Sequence, residues 1–332
     1  MYRKFYGLTR RPFEMSPDPY FYYPTPQHNE ALAQLTYGVQ EKKGFVVVSG
    51  EVGTGKTLLV RCLLDALSRH KIAFAFVYNP VLSVTEFLTL LLNDLGVPFK
   101  SNSKIELLSS LNSYLLSRCR RGEVTALVVD EAQLLSWELL EEIRLLTNLE
   151  TAQFKLLQIV LAGQPELEKK LDSQELRQLK QRVAMRCRLK PLELNDVRGY
   201  IYRRLELAGA DSRATTLYPE ESIKAVYQTS RGIPRLINSI CENTLVAGYS
   251  KQTKQITPAI VREVASDLCL EIAGAPSIPS NGSQAAPPAP PAPQPDGWED
   301  VVGMLARMIE EGDASSRNKS QDFKTATGGK TV

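Results

Sequence analysis

Gly50-Glu51-Val52-Gly53-Thr54-Gly55-Lys56-Thr57 fills every fixed position of the pattern G-x-x-x-x-G-K-[ST]. Glycines let successive backbone N–H groups turn toward one point and make a concave anion nest. A helix expected to open at about Lys56, running through Leu58 to about Ser68, adds its positive end to that nest. Lys56 brings a charge for the β- and γ-phosphates, and the Thr57 hydroxyl is a hard oxygen suited to Mg²⁺. The ligand these residues imply is a nucleoside triphosphate, ATP, with Mg²⁺.

Ala126-Leu127-Val128-Val129 is an apolar run that ends in Asp130-Glu131. Carboxylates at the C-terminal end of a parallel strand stand where open α/β sheets bind their ligands. Asp130 would hold Mg²⁺ directly or through water, and Glu131 would polarise the attacking water as a general base.

These groups need a sheet to hold them. Short β-rich runs occur at 45–49, 73–78, 125–130, 156–162 and 186–189, with helical stretches between them. Ser83 with Glu86, and Ser103 with Glu106, read as capping boxes that open two of those helices. Strand–helix alternation with strands apolar throughout predicts an α/β fold with a doubly wound parallel sheet over 26–190. Thr25 as N-cap and Pro26 at N1 open its first helix. Helices expected at about 193–208, 219–230, 233–249 and 257–270 make a small all-helical domain over 191–271. Residues 1–25, aromatic and Pro-rich, read as an extended arm laid on the α/β domain. Residues 272–296 read as a Pro/Ala-rich disordered linker. A short amphipathic helix is expected at 297–311, for a partner or for the chain's own domain, and a disordered tail at 312–332.

Composition excludes several classes. The five cysteines are scattered with no C-x-x-C pair, and the two histidines form no zinc-ligand spacing. No apolar run approaches the length of a transmembrane helix, and no secretory signal is visible. The expectation is a cytoplasmic protein, or at most one peripheral to a membrane. A net charge of +3 gives no global field for nucleic acid, so DNA is a partner not favoured.

Further segments resemble the AAA+ superfamily. Gln164, after the run 156–162, stands where that superfamily places a polar sensor 1 residue. Leu176–Arg182 stands where it carries an arginine finger acting on a neighbouring subunit, with Arg182 the first candidate and Arg177 and Arg186 its rivals. Arg231-Gly232-Ile233-Pro234-Arg235 resembles the sensor 2 signature of AAA+ lids, which implies that Arg235 reaches the phosphates and that 191–271 is the lid. More narrowly, Phe5-Tyr6-Gly7-Leu8, Pro17-Asp18-Pro19, the phosphate loop, Asp130-Glu131-Ala132-Gln133 and Leu161-Ala162-Gly163-Gln164-Pro165-Glu166-Leu167 resemble the general secretion pathway protein A (ExeA-like) family. That resemblance covers about 1–270. It implies an ATPase that works as a homo-oligomer on a protein partner in envelope secretion, export or exopolysaccharide machinery. A DNA-associated transposition helper is the alternative. It also suggests adenine contacts from Tyr20, Tyr22 or His28. Secretion members of the family carry a transmembrane helix and a peptidoglycan-binding module, and the residues after Glu271 are expected to supply neither.

Overall fold

The computed structural model describes residues 1–210 and 214–270. The expected linker at 272–296, helix at 297–311 and tail at 312–332 lie outside the described residues. The apolar runs form five strands: β1 (Phe45–Gly50), β2 (Ala73–Val77), β3 (Thr125–Val129), β4 (Gln158–Gly163) and β5 (Met185–Leu189). They make one parallel sheet in the order β2-β3-β4-β1-β5. Every residue of β1, β3 and β4 is buried, which is why these runs do not alternate apolar with polar.

Helices α2 (Pro26–Gln40) and α3 (Lys56–Arg69) cover one face of the sheet. Helices α4 (Val84–Asp94), α5 (Lys104–Arg120), α6 (Trp137–Leu146), α7 (Pro165–Leu171) and α8 (Arg177–Lys180) cover the other. Local chemistry sets their starts. The Thr25 side chain accepts from the His28 amide with Pro26 at N1, and Ser83 with Glu86 closes a full capping box. The second expected box does not form: Ser103 makes no side-chain cap bond at the start of α5.

Beyond β5 lies a helical bundle of α9 (Leu194–Leu207), α10 (Ala214–Leu217), α11 (Glu220–Ser230), α12 (Pro234–Ser250) and α13 (Pro258–Asp267). Its core is centred on Tyr218, which is fully buried and donates its hydroxyl to the Cys241 carbonyl at 2.9 Å. The N-terminal segment belongs to this core. It begins with a short helix, α1 (Tyr2–Tyr6), and buries Tyr2, Tyr6, Leu8 and Phe13 among the bundle's side chains. The expectation of an extended arm on the α/β domain is therefore corrected for residues 1–13, whereas residues 17–21 do meet α3, where Arg61 donates to the Pro17 carbonyl. The aromatic residues have large surfaces to remove from water, and the small bundle supplies the cover. Tyr2 donates to Glu242 at 2.8 Å and Tyr6 to the Thr253 carbonyl at 3.1 Å, so each phenol is also satisfied.

Candidate functional site

The connection leaving β1 passes to the α3 face, and those leaving β2, β3 and β4 pass to the other face. Neighbouring strands β1 and β4 thus send their chains to opposite sides, which opens a crevice at their C-terminal ends. The glycine loop, Asp130 and Gln164 all meet this edge.

Gly53 and Gly55 have φ of +82° and +103°, a region that favours glycine. At Gly53 the cause is also spatial, since a β-carbon there would lie 2.7 Å from Cβ of Arg235. The Arg235 amide donates to the Gly53 carbonyl at 3.2 Å. This places the start of α12 on the loop itself, with the Arg235 side chain exposed. The Thr54 side chain is buried and donates to the Glu51 carbonyl at 2.8 Å, while Glu51 and Val52 are exposed at the loop's tip.

Lys56 is buried and donates to the carbonyls of Gly50 at 2.7 Å and Glu51 at 2.9 Å. Burial holds its pKa below the usual lysine range, against the opposing pull of Glu131 and Asp130. The Thr57 hydroxyl donates to Oδ2 of Asp130 at 2.8 Å. Burial raises the Asp130 pKa, and the bonds from Thr57 and from the Glu131 amide oppose it. A hydroxyl and a carboxylate converging on one point are hard oxygen donors of the kind Mg²⁺ takes alongside phosphate and water oxygens. Among the described residues no group of three His, Cys, Asp or Glu side chains could hold a metal without such outside ligands.

Glu131 has φ +50°, outside the comfortable range for a residue with a β-carbon. Its Oε2 accepts from Gln133 Nε2 at 2.6 Å and from Gln164 Nε2 at 3.3 Å. The Gln133 carbonyl oxygen of the side chain accepts from the Gln164 amide at 3.0 Å. Lys170 donates to the backbone carbonyls of Gln133 at 2.6 Å and Leu135 at 2.9 Å. Gln133 thus links the carboxylate to the end of β4. Sequence reasoning quoted this residue in a motif and gave it no task; a polar residue two positions beyond an acidic pair was the available signal.

His28 is buried under the loop. Its Nε2 donates to the Thr54 carbonyl at 3.1 Å, and its Nδ1 lies 2.6 Å from the Thr25 hydroxyl. Tyr22 is buried and donates to Asn29 at 3.3 Å, whereas Tyr20 is 45% exposed with the Arg10 guanidinium over its ring. Leu58 lies half-buried in the first turn of α3. Glu168 of α7 is bonded by Ser49 and Arg188. These donors outweigh its partial burial and hold its pKa below the usual range. No motif pointed to it.

The finger candidates lie apart from this cluster. Arg182 is half-buried and donates to the Thr147 hydroxyl at 2.6 Å, beyond the C-terminal end of α6. Arg186 pairs with Asp172 at 3.3 Å. Arg177 is exposed, with no side-chain bond among the described residues.

Residues 39–171 match a family model described as an AAA domain. The fold is shared with Cdc6p from Pyrobaculum aerophilum, at TM-score 0.60 and 22% identity over 76% of this chain and 70% of that one. It is shared too with the ORC2 protein of Aeropyrum pernix, at TM-score 0.58 and 15% identity over 78% of this chain and 71% of that one. The sheet order, the phosphate loop and the helical bundle at its side define a P-loop NTPase of the AAA+ type. General secretion pathway protein A of Aeromonas hydrophila is 41% identical over 257 residues, 77% of this chain and 46% of that protein. The chain resembles this general secretion pathway protein A over those 257 residues, and it spans less than half the length of that relative. Among the described residues no helix is long and apolar enough to cross a membrane.

Proposed function

We propose that the chain binds Mg-ATP at Gly50–Leu58 and hydrolyses it to ADP and phosphate. The observation that carries this reading is the convergence of Lys56, the Thr57–Asp130 pair and the Glu131–Gln164 pair at one end of the sheet. The loop amides and Lys56 grip the phosphates, with Lys56 exchanging its two carbonyl partners for phosphate oxygens. Thr57 and Asp130 would hold magnesium, which when bound draws charge from the phosphate oxygens. Glu131 accepts a proton from the attacking water. Gln164 would relay a change at the terminal phosphate to β4, and Arg235 would relay it to the helical bundle. Of Tyr20, Tyr22 and His28, the candidates for adenine contact, His28 touches the loop, through the Thr54 carbonyl.

The proposal extends to a homo-oligomer in which an arginine before or at the start of β5 reaches the neighbour's ATP. Arg177 is the freest of the three candidates, because Arg182 and Arg186 are held within their own chain. Closure and release of the helical bundle would move a protein partner in envelope secretion or export machinery, at the cytoplasmic side or the periphery of the inner membrane. Likeness to general secretion pathway protein A supports that setting.

Equilibrium binding of labelled ATP with magnesium tests the core of this reading. The wild type should bind, Lys56→Ala should lose binding, and Glu131→Gln should bind yet lose about 10²–10⁴ in phosphate release. A wild type that takes up no nucleotide, or a Lys56→Ala protein that binds equally well, overturns it.

A further inference from the structure

The same parallel order that gathers the nucleotide groups at one edge of the sheet gathers the five incoming turns at the other. Each strand begins within one residue of its neighbours' level: Ala73 pairs with Thr125, Ala126 with Gln158, Phe45 with Ile159 and Val46 with Met185. The five turns therefore form a shallow platform about 20 Å wide. Each carries cations, represented by Lys43 before β1, Lys71 before β2, Arg120 before β3, Lys155 before β4 and Arg182 before β5. Residues 40–44, 68–72, 118–124, 147–157 and 181–184 hold nine Lys and Arg against three Glu. The whole chain carries a net charge of only +3. At the opposite edge, residues 51–57, 130–136, 164–168 and 190–193 hold six Asp and Glu against two Lys. The charge of this domain is polarised along its strands.

Helix C-termini account for part of this. Helices α2, α3, α5 and α6 end at the platform, and cations are favoured at such ends within the last turn. That attraction leaves Lys43, Lys71 and Arg120 exposed, with no carboxylate partner among the described residues. Two aromatic rings stand among the cations. Tyr37 is 48% exposed and Phe154 46% exposed. Lys43 lies 5.2 Å from the Tyr37 ring centre and Lys42 lies 4.7 Å from that of Phe154.

We propose that this platform docks on an anionic phospholipid surface, with the nucleotide edge turned away from it. A shallow array of ammonium and guanidinium groups matches a plane of lipid phosphates, and half-exposed rings suit the headgroup layer. Nucleic acid fits less well. Single-strand binders offer a groove in which bases stack on aromatic faces, and here the surface is shallow and each ring has a lysine over one face. Duplex readers insert a helix or ribbon, and the platform projects neither. The proposal does not rest on hydrolysis, so its failure and that of the nucleotide reading are separate.

The test is flotation of the full chain with phosphatidylcholine vesicles, alone or with about 30% phosphatidylglycerol. The wild type should float only with the anionic vesicles and should be released at about 0.5 M salt. Lys43→Gln, Lys71→Gln and Arg120→Gln together should weaken that binding about a hundredfold, each alone about fivefold. Melting temperature and ATP uptake should stay unchanged in these variants. Equal flotation with both vesicles, no flotation of the wild type, or unchanged binding by the triple variant overturns the proposal. So does binding of a DNA duplex that depends on these three residues in the absence of vesicle binding.

Discussion

Glu131 keeps a left-handed backbone and a carboxylate held by two amide side chains, so its position is imposed by neighbours. Gln133 supplies the shorter of those bonds and also engages the end of β4. Replacing it with alanine should cut phosphate release about tenfold, in line with one hydrogen bond to a charged group, and leave the KM for ATP unchanged. A KM that rises while kcat holds would place Gln133 in binding instead. His28 offers a pH readout. Burial keeps its pKa below the usual value, opposed by its bond to the Thr54 carbonyl, and both ring nitrogens are engaged in the neutral form. The unfolded chain then takes up a proton more readily than the folded one. Stability from this group is complete above the ordinary histidine pKa, about 6.5, and falls as pH drops from there toward the depressed folded value. Melting between neutral and mildly acidic pH should therefore show a smaller loss for His28→Gln than for wild type. At this scale the glycine loop and the acidic pair were legible, because their spacing carries the chemistry. Gln133 and Glu168 were not, because their partners are distant in sequence and only the fold brings them together.

Elements were legible where local chemistry decides them. Thr25-Pro26 opens α2, and strands buried on both faces announced themselves as unbroken apolar runs. Ser103 failed as a capping box although its spacing matched. The helix Tyr2–Tyr6 was hidden, since five residues are too few to hold a helix by themselves and this one gains its order from packing. The sharpest element-level constraint is Gly232, at φ +74°, where a β-carbon would lie 1.9 Å from the Leu192 carbonyl oxygen. That oxygen belongs to the backbone and cannot swing aside. Gly232→Ala should lower lid stability by more than the 1–2 kcal/mol of a left-handed backbone alone, roughly 3 kcal/mol, read by thermal or urea unfolding. Gly53→Ala should cost less in folding and more in nucleotide affinity, because the displaced atoms are those of Arg235 at the loop.

For the whole molecule, the parallel sheet and its helical bundle followed from the alternation of elements, while the side on which the first residues pack did not. Assembly is the level at which the arginines separate. Arg182→Ala removes a bond to Thr147 and should lower stability by about 1 kcal/mol. Arg177→Ala should leave melting unchanged and cut hydrolysis about 10³-fold in the assembled state. Equal hydrolysis by wild type and Arg177→Ala at high protein concentration would remove Arg177 from that role.

Tyr2, Tyr6, Leu8 and Phe13 complete a core whose other members run from Leu192 to Val264. A ribosome releases this clasp before its socket, with the entire sheet in between. Until the final helices emerge, the leading aromatic residues have nowhere to hide, and the nascent chain must carry them exposed past a domain that can already close. Such a chain is most vulnerable to chaperone capture or mispairing during that interval.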